Sequence, residues 1–112
     1  QKNSNITKEV LNEQLEVIER EYIQEVIIAY EPVWAIGTGQ NAEISYINEI
    51  HAFIKQTLQN KIKSSIQISV VYGGSVNLDN CKEIYCSDQV DGLLIGGASL
   101  NSETFTKIYN ML

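Results

Sequence analysis

The sequence predicts an α/β protein built on parallel strands. Helical and strand patterns alternate strictly along the 112 residues, in the order α-β-α-β-α-β-α. Such alternation is typical of parallel strands joined by right-handed helical crossovers. Each predicted strand is followed directly by a segment rich in glycine, serine or threonine, at the carboxyl end where α/β proteins bind ligands. An open doubly wound sheet and part of a closed barrel share this alternation, so the pattern leaves both architectures open.

The first helix is predicted over residues 8–21, with Thr7 at the N-cap position. One apolar stripe marks it, formed by Leu11, Leu15, Ile18 and Tyr22. Residues 25–30 are mostly apolar at consecutive positions and β-branched, which is typical of a strand covered on both faces. Pro32 ends this strand, and residues 33–42 lack periodicity, so they predict a long surface loop.

A second helix begins near Ile44, and a second strand over residues 66–72 stops at two consecutive glycines. The apolar stripe of the helix consists of Ile47, Ile50, Ile54 and Leu58. Asn77 is a good cap for a short helix that runs to about Tyr85.

The last strand is predicted over residues 90–95, before the pair Gly96 and Gly97. Asn101 is expected to cap the final helix. Its predicted buried stripe consists of Phe105, Ile108 and either Met111 or Leu112.

Composition indicates an ordinary globular protein of one domain. A hydrophobic fraction of 44% and a charged fraction of 20% are usual for such proteins. The net charge of -6, without a cluster of basic residues, argues against nucleic-acid binding. No apolar run approaches the roughly 20 residues of a membrane helix, and no signal peptide is recognisable, so we expect a cytoplasmic protein. Cys81 and Cys86 match neither a zinc spacing nor a redox motif, so we predict two reduced, partly buried thiols and no metal.

Glu31 is the candidate catalytic residue, because it ends an apolar strand at the edge where ligands bind. A hydrophobic surround there would disfavour its charged form and suit it to abstract a proton. The alternative is a strand-end glutamate that only marks the return to solvent. Position alone favours the alternative.

Three segments resemble the triosephosphate isomerase family, in the family's order and at about its spacing. AYEPVWAIGTG at residues 29–39 is similar throughout to the family's base and lid segment. YGGSV at 72–76 resembles its loop after the seventh strand, and DGLLIGGASL at 91–100 resembles its loop after the eighth. The resemblance implies that residues 1–112 are the C-terminal half of one TIM-barrel domain, from the fifth helix to the eighth. The fold expected from it is a partial (β/α)8 barrel with about three parallel strands and four helices.

The resemblance also implies an activity, the interconversion of dihydroxyacetone phosphate and glyceraldehyde 3-phosphate in glycolysis and gluconeogenesis. It makes Glu31 the base that moves a proton through an enediolate, and residues 32–42 the lid that closes over it. No cofactor or metal is implied. The main-chain N–H groups implied to hold the substrate phosphate belong to Gly37, Ser75, Gly96 and Gly97.

Other residues resemble supporting parts of the family's site. Trp34 would anchor the first hinge of the lid, and Leu94 would pack against the base. Tyr72 and Ser75 would hold the closed lid through backbone groups of two lid residues, Gly39 and Ala42. Two further residues are assigned to stability: Lys55 and Asp91 resemble an ion pair between helix and strand, with lysine replacing the family's usual arginine. His51, the single histidine, is interpreted as structural or solvent-facing rather than catalytic.

The family's electrophilic Lys, Asn and His come from its first four strands and have no equivalent in this sequence. We therefore expect the chain to be inactive alone, since a base cannot replace a preorganised oxyanion site. The chain begins where the fifth strand should have ended, so we expect it to be one piece of a larger polypeptide. Its implied partners are a triose phosphate, the N-terminal half of the same barrel and, for the complete enzyme, a second copy in a homodimer.

Two other functions are considered. Another phosphate-binding barrel would also grip phosphate after its last two strands, but it has no reason to carry the lid segment. A non-catalytic phosphate-binding or self-associating half-barrel module is favoured by the missing electrophiles. The base and lid argue against that module.

Overall fold

A computed structural model of the chain describes residues 4–16, 24–32, 43–62 and 66–112. Within these ranges three parallel strands form one sheet, in the order β1-β2-β3, and α-helices alternate with them. The strands are β1 Glu25–Tyr30, β2 Gln67–Tyr72 and β3 Gly92–Leu93, and the helices are α1 Ser4–Leu15, α2 Ile44–Ile62, α3 Cys81–Tyr85 and α4 Ser102–Met111. The predicted α/β class with parallel strands is confirmed.

The register of the sheet brings the carboxyl ends of the strands to one level. The pairs that define these ends are Tyr30 with Tyr72, Val71 with Gly92 and Tyr72 with Leu93. β3 is shorter than the predicted strand 90–95, but its backbone hydrogen bonds with β2 continue for one residue beyond each of its ends. The N–H of Asp91 donates to the carbonyl of Val70 at 3.0 Å, and the N–H of Leu94 donates to that of Tyr72 at 2.9 Å. All three strands therefore end at one edge.

The core lies between α2 and one face of the sheet. The predicted stripe of α2 is confirmed, since all four of its residues are fully buried. The sheet face that carries Tyr30, Val70 and Tyr72 packs against this helix and is also buried. On the opposite face Ala29 is exposed and Ile27 is 63% exposed. The prediction that β1 is covered on both faces is therefore wrong for this chain, because the helices described cover one face.

α1 begins at Ser4, four residues earlier than predicted, and Thr7 is not its N-cap. Thr7 lies inside the helix, buried, with its hydroxyl 2.8 Å from that of Tyr46 on α2. Lys8 adds a second link to α2, where its ammonium donates to a carboxylate oxygen of Glu49 at 2.8 Å. Tertiary contacts thus outweigh the local capping preference of threonine. The predicted stripe residues Ile18 and Tyr22 lie outside the described residues.

α3 starts later than its predicted cap, Asn77. The side-chain oxygen of Asn77 accepts from the N–H groups of Asp79 at 2.8 Å and Asn80 at 3.1 Å, which closes a turn before the helix. The helix proper begins at Cys81, which is buried, and Cys86 after it is exposed. Both thiols are free, as predicted, but the predicted partial burial of both is wrong, since one is buried and the other exposed.

The predicted cap of α4 is confirmed, because the side-chain oxygen of Asn101 accepts from the N–H of Thr104 at 3.1 Å. Of its predicted stripe, Ile108 is buried, whereas three residues are largely exposed: Phe105, Met111 and Leu112. The stripe is wrong for those three, although α4 packs on α3 and the preceding 3-10 helix and buries Ile108. Among the helices in the described ranges, none has the length and apolar character that crossing a membrane requires.

Asp91 ties α2 to the sheet, which confirms the predicted ion pair. Its Oδ2 lies 3.0 Å from the ammonium of Lys55 and accepts from the N–H of Val70 at 2.8 Å. Partial burial opposes ionisation of Asp91, but the Val70 N–H and the Lys55 ammonium outweigh it and lower its pKa. The carboxylate thus replaces a ladder partner where β3 is too short to supply one.

We predict that Asp91→Ala lowers the free energy of unfolding by about 1–3 kcal/mol, because it leaves the N–H of buried Val70 without an acceptor. Asp91→Asn keeps an acceptor oxygen and loses only the partly exposed ion pair, so it should cost less than about 1 kcal/mol. Urea unfolding of the two variants measures both. Equal losses would contradict the backbone role of Asp91.

Candidate active site at the carboxyl edge of the sheet

Glu31 directly follows β1 and lies on the sheet face opposite Tyr30. Its side chain runs across Gly73: a Cβ added to Gly73 would stand 2.6 Å from Cγ of Glu31 and 3.4 Å from its Cδ. The N–H of Gly73 donates to the carbonyl of Tyr30 at 2.8 Å, which fixes the two segments side by side. Because Gly73 has no side chain, the side chain of Glu31 can lie across it.

The expected hydrophobic surround of Glu31 is not found within the described residues. Glu31 is exposed, although Pro32 beside it is buried. That expectation is wrong for this chain, because the described helices leave uncovered the sheet face on which Glu31 lies.

Leu94 lies in the same row as Glu31. Its hydrogen bond to Tyr72 extends the register by one residue, so Glu31, Gly73 and Leu94 follow one another across the edge. With strands about 4.8 Å apart, the backbones of Glu31 and Leu94 are about 10 Å apart. Leu94 is 44% exposed on this edge.

The turn after β2 is held from both sides. Tyr72 is fully buried, and its hydroxyl end lies against Gly74, where an added Cβ would overlap the phenol. Ser75 is half-buried, and its carbonyl accepts from the side-chain amide of Asn80 at 3.0 Å. The loop that carries Ser75 is thus anchored to the turn before α3.

The turn after β3 is open. Gly96 and Gly97 are exposed, and a Cβ added to either would meet nothing within 4 Å in the described chain. A 3-10 helix, Gly97–Leu100, begins here, and both the N–H and the hydroxyl of Ser99 donate to the carbonyl of Gly96, at 2.9 and 2.6 Å. Packing within the described residues does not require glycine at either position.

The structure brings together those predicted site residues that it describes, at one edge of the sheet: Glu31, Tyr72, Ser75, Leu94, Gly96 and Gly97. The other predicted site residues lie outside the described residues, and their roles remain predictions: Trp34, Gly37, Gly39 and Ala42.

Sequence reasoning missed the packing of Gly73, Gly74 and His51. Two consecutive glycines directly after a strand signal a close approach of side chains, and that signal was available. His51 is fully buried on α2, so of the two interpretations the structural one is confirmed and the solvent-facing one is wrong. Burial, together with the Lys55 ammonium, lowers the pKa of His51 to about 4 against the opposing effect of the Gln89 carbonyl.

These features define an α/β protein with a candidate site where a strand-end carboxylate meets glycine-bearing turns. The family model described as triosephosphate isomerase (TIM) matches residues 1–112, the whole chain. The chain therefore belongs to the triosephosphate isomerase family, and its parallel strands and helices form part of that family's barrel.

Curated relatives agree with this assignment. The triosephosphate isomerase of Helicobacter acinonychis is 49% identical over 112 residues, which are 100% of this chain and 45% of the relative. That of Neisseria meningitidis is 44% identical over 100 residues, 89% of this chain and 40% of the relative. That of Flavobacterium psychrophilum is 44% identical over 108 residues, 95% of this chain and 43% of the relative. The chain thus spans less than half the length of these relatives.

We predict different outcomes for alanine at three glycines whose φ angles lie outside the left-handed range, so that the added methyl group tests contact alone. Gly74→Ala should cost about 1–3 kcal/mol of unfolding free energy, because the phenol of Tyr72 is buried and cannot yield. Gly73→Ala should displace the exposed Glu31 side chain at little cost in stability. Gly97→Ala, the control, should change stability by less than about 0.5 kcal/mol.

Urea unfolding measures the three stabilities, and the carbon chemical shifts of the Glu31 side chain report its displacement. An unchanged Glu31 signal in Gly73→Ala would contradict the close approach of the two residues.

The lowered pKa of His51 predicts a stability loss in mild acid. The folded chain resists protonation of His51 down to about pH 4, whereas the unfolded chain takes up that proton near 6.5. Stability from this residue is therefore complete above about pH 6.5 and falls as the pH drops toward 4, by up to about 3 kcal/mol. Urea unfolding at several pH values measures the slope. His51→Asn should flatten it between pH 5 and 6.5, and an unchanged slope would contradict the prediction.

Proposed function

We propose that this chain supplies the base, the lid and the phosphate-binding loops of a triosephosphate isomerase. The reaction would interconvert dihydroxyacetone phosphate and glyceraldehyde 3-phosphate. The observation that carries the proposal is the contact of Glu31 with Gly73 at the carboxyl edge, in a chain that belongs to this family. Sites of barrel enzymes lie at this edge of their sheets.

Glu31 would act as the general base. A carboxylate can take a proton from the carbon beside a carbonyl and return it to the neighbouring carbon, with an enediolate between the two steps. Its exposure leaves the carboxylate within reach of a small substrate. The lid formed by residues 32–42 would then exclude water from the intermediate.

The substrate phosphate would be held by main-chain N–H groups of Gly37, Ser75, Gly96 and Gly97. The open surface at Gly96 and Gly97 supports this assignment, because an anion could approach that backbone closely. The anchored carbonyl of Ser75 supports it too, since a loop fixed in advance binds an anion at less entropic cost. The scheme uses no cofactor or metal.

The N-terminal half of the barrel would complete the site. The base alone cannot stabilise an enediolate, because this requires electrophilic groups. The family resemblance implies that those groups come from the first four strands of the barrel. The sheet also exposes apolar surface that a second part of the barrel would bury, since Ile27 is 63% exposed on the same face as Glu31. We therefore propose that the chain is inactive alone and that the complete enzyme is a cytoplasmic homodimer of glycolysis.

Exposed apolar residues also favour a second candidate, a self-associating half-barrel module. Leu100 is 90% exposed and Tyr109 is 72% exposed, so apolar surface is present around the last helix as well as on β1. Copies of the chain could bury these residues against one another. This candidate needs neither Glu31 nor a substrate, and the following experiment separates the two.

We predict that isomerase activity appears when the chain is mixed with the residues that precede the matched segment in the Helicobacter acinonychis enzyme. Neither part should be active alone. Glu31→Asp withdraws the carboxylate by one methylene and should lower the rate of the mixture by about 100-fold. Conversion of glyceraldehyde 3-phosphate, followed in a coupled assay, measures the rate.

The matched control is Glu43→Asp, the same change at an exposed glutamate just before α2, and it should leave the rate unchanged. A mixture that binds but stays inactive would favour the module. So would activity that is insensitive to Glu31→Asp.

A further inference from the structure

His51 on α2 contacts the last residues of β1 and β2 and the segment that leads into β3. Its ring meets Tyr30, the last residue of β1, edge to face, with centroids 5.7 Å apart and planes at 81°. The ring of Tyr72, the last residue of β2, is 6.2 Å away. Nδ1 of His51 lies 3.2 Å from the carbonyl oxygen of Gln89, in the segment that leads into β3. One side chain therefore contacts each segment that leads to the candidate site.

The contact with Gln89 is one half of a clamp. The side-chain oxygen of Asn48, one turn before His51 on α2, accepts from the N–H of Gln89 at 3.1 Å. The two side chains thus take both backbone groups of Gln89. Two residues later, the N–H of Asp91 begins the pairing of β3 with β2. The two hydrogen bonds of the clamp therefore fix the position of Gln89, and with it the register at which β3 enters the sheet.

The geometry defines the protonation state of the ring. A carbonyl oxygen only accepts, so Nδ1 of His51 carries a proton. Nε2 is buried and has no hydrogen-bond partner in the part of the chain that the structure describes. The ring therefore packs as a neutral group.

Burial is the main reason that the ring stays neutral, since charges of both signs lie near it and oppose each other. Lys55, one turn further along α2, opposes a second proton, whereas the Asp91 carboxylate next to β3 favours one. From β1 the ring faces the phenol of Tyr30, whose pKa is raised by burial and by the neighbouring tyrosines. From β2 it faces the phenol of Tyr72.

We propose that His51 is a positioning residue for the candidate active site: its neutral ring links the last residues of β1 and β2 to the segment that leads into β3, and so keeps Glu31 across Gly73. Tyr30 directly precedes Glu31, and its carbonyl accepts from the N–H of Gly73, so a shift of Tyr30 moves both residues. The inference rests on the proposed function for the chemistry of the site. The positioning itself can be measured without catalysis.

The first test uses the unaltered chain, in which His51 is the single histidine and so gives one set of ring signals. Long-range nitrogen–proton NMR correlation reports which ring nitrogen carries the proton. We expect the Nδ1–H tautomer from pH 8 to pH 5. An Nε2–H ring, or one that titrates near 6.5 as a free histidine does, would overturn the proposal.

The second test compares amide hydrogen exchange in His51→Ala, His51→Asn and Ile62→Ala. Ile62 is buried at the far end of α2, so Ile62→Ala is a control for lost packing away from the strand ends. His51→Ala should exchange the N–H groups of Gly73 and Leu94 about tenfold faster than the control, after correction for global stability, as expected for a lost buried hydrogen bond. His51→Asn keeps a side-chain N–H for Gln89 and should restore slow exchange at Leu94.

Equal exchange in His51→Ala and Ile62→Ala, or no rescue by His51→Asn, would overturn the proposal. Should His51→Ala fail to fold, His51→Asn and the tautomer measurement still decide. Because neither measurement uses isomerase activity, failure of the positioning role and failure of the proposed function are distinguishable.

Discussion

The candidate site depends on two backbone hydrogen bonds that level the ends of the strands, from Gly73 N–H to the Tyr30 carbonyl and from Leu94 N–H to the Tyr72 carbonyl. Side chains alternate between the two faces of a strand, so two successive residues at a strand end lie on opposite faces of the sheet. Tyr30 faces α2 and enters the core, and Glu31 after it faces the open side. A slip of one residue would exchange the two, which would bury the carboxylate and expose the phenol. The site and the core therefore share one constraint.

Two adjacent glycines make this edge possible, for separate reasons. Gly73 leaves room for the side chain of Glu31 on the open face, and Gly74 leaves room for the phenol of Tyr72 on the core side. The glycine pair after β3 differs. A Cβ added to Gly96 or Gly97 would have no described atom within 4 Å. Glycines that look alike in the sequence thus serve internal packing in one turn and leave open backbone in the other.

Local patterns were sufficient to predict β1 and α2, because a β-branched run bounded by proline and a four-residue apolar stripe each determine one element without help from distant residues. They failed where distant contacts decide. Thr7 looks like a cap, but it is buried against Tyr46, 39 residues away in the sequence. Ile27 and Phe105 were predicted to be buried, yet a periodic pattern identifies an apolar face without identifying what covers it. The position of Glu31 came from its strand and its motif, whereas its contact with Gly73 depends on the register, which the sequence pattern does not specify.

The exposure of Glu31 has a physical consequence under the proposed function. Glu31 is exposed in this chain, and hydration stabilises the charged form of carboxylates in general. Ile27 is 63% exposed on the same face, which the described helices leave uncovered, so one covering surface would bury both residues. Burial of Ile27 would favour association through the hydrophobic effect, and partial removal of water from Glu31 would make it a stronger base. Assembly of the barrel and activation of its base would then be a single event, which gives a physical reason for placing the base on the face that the rest of the barrel must cover.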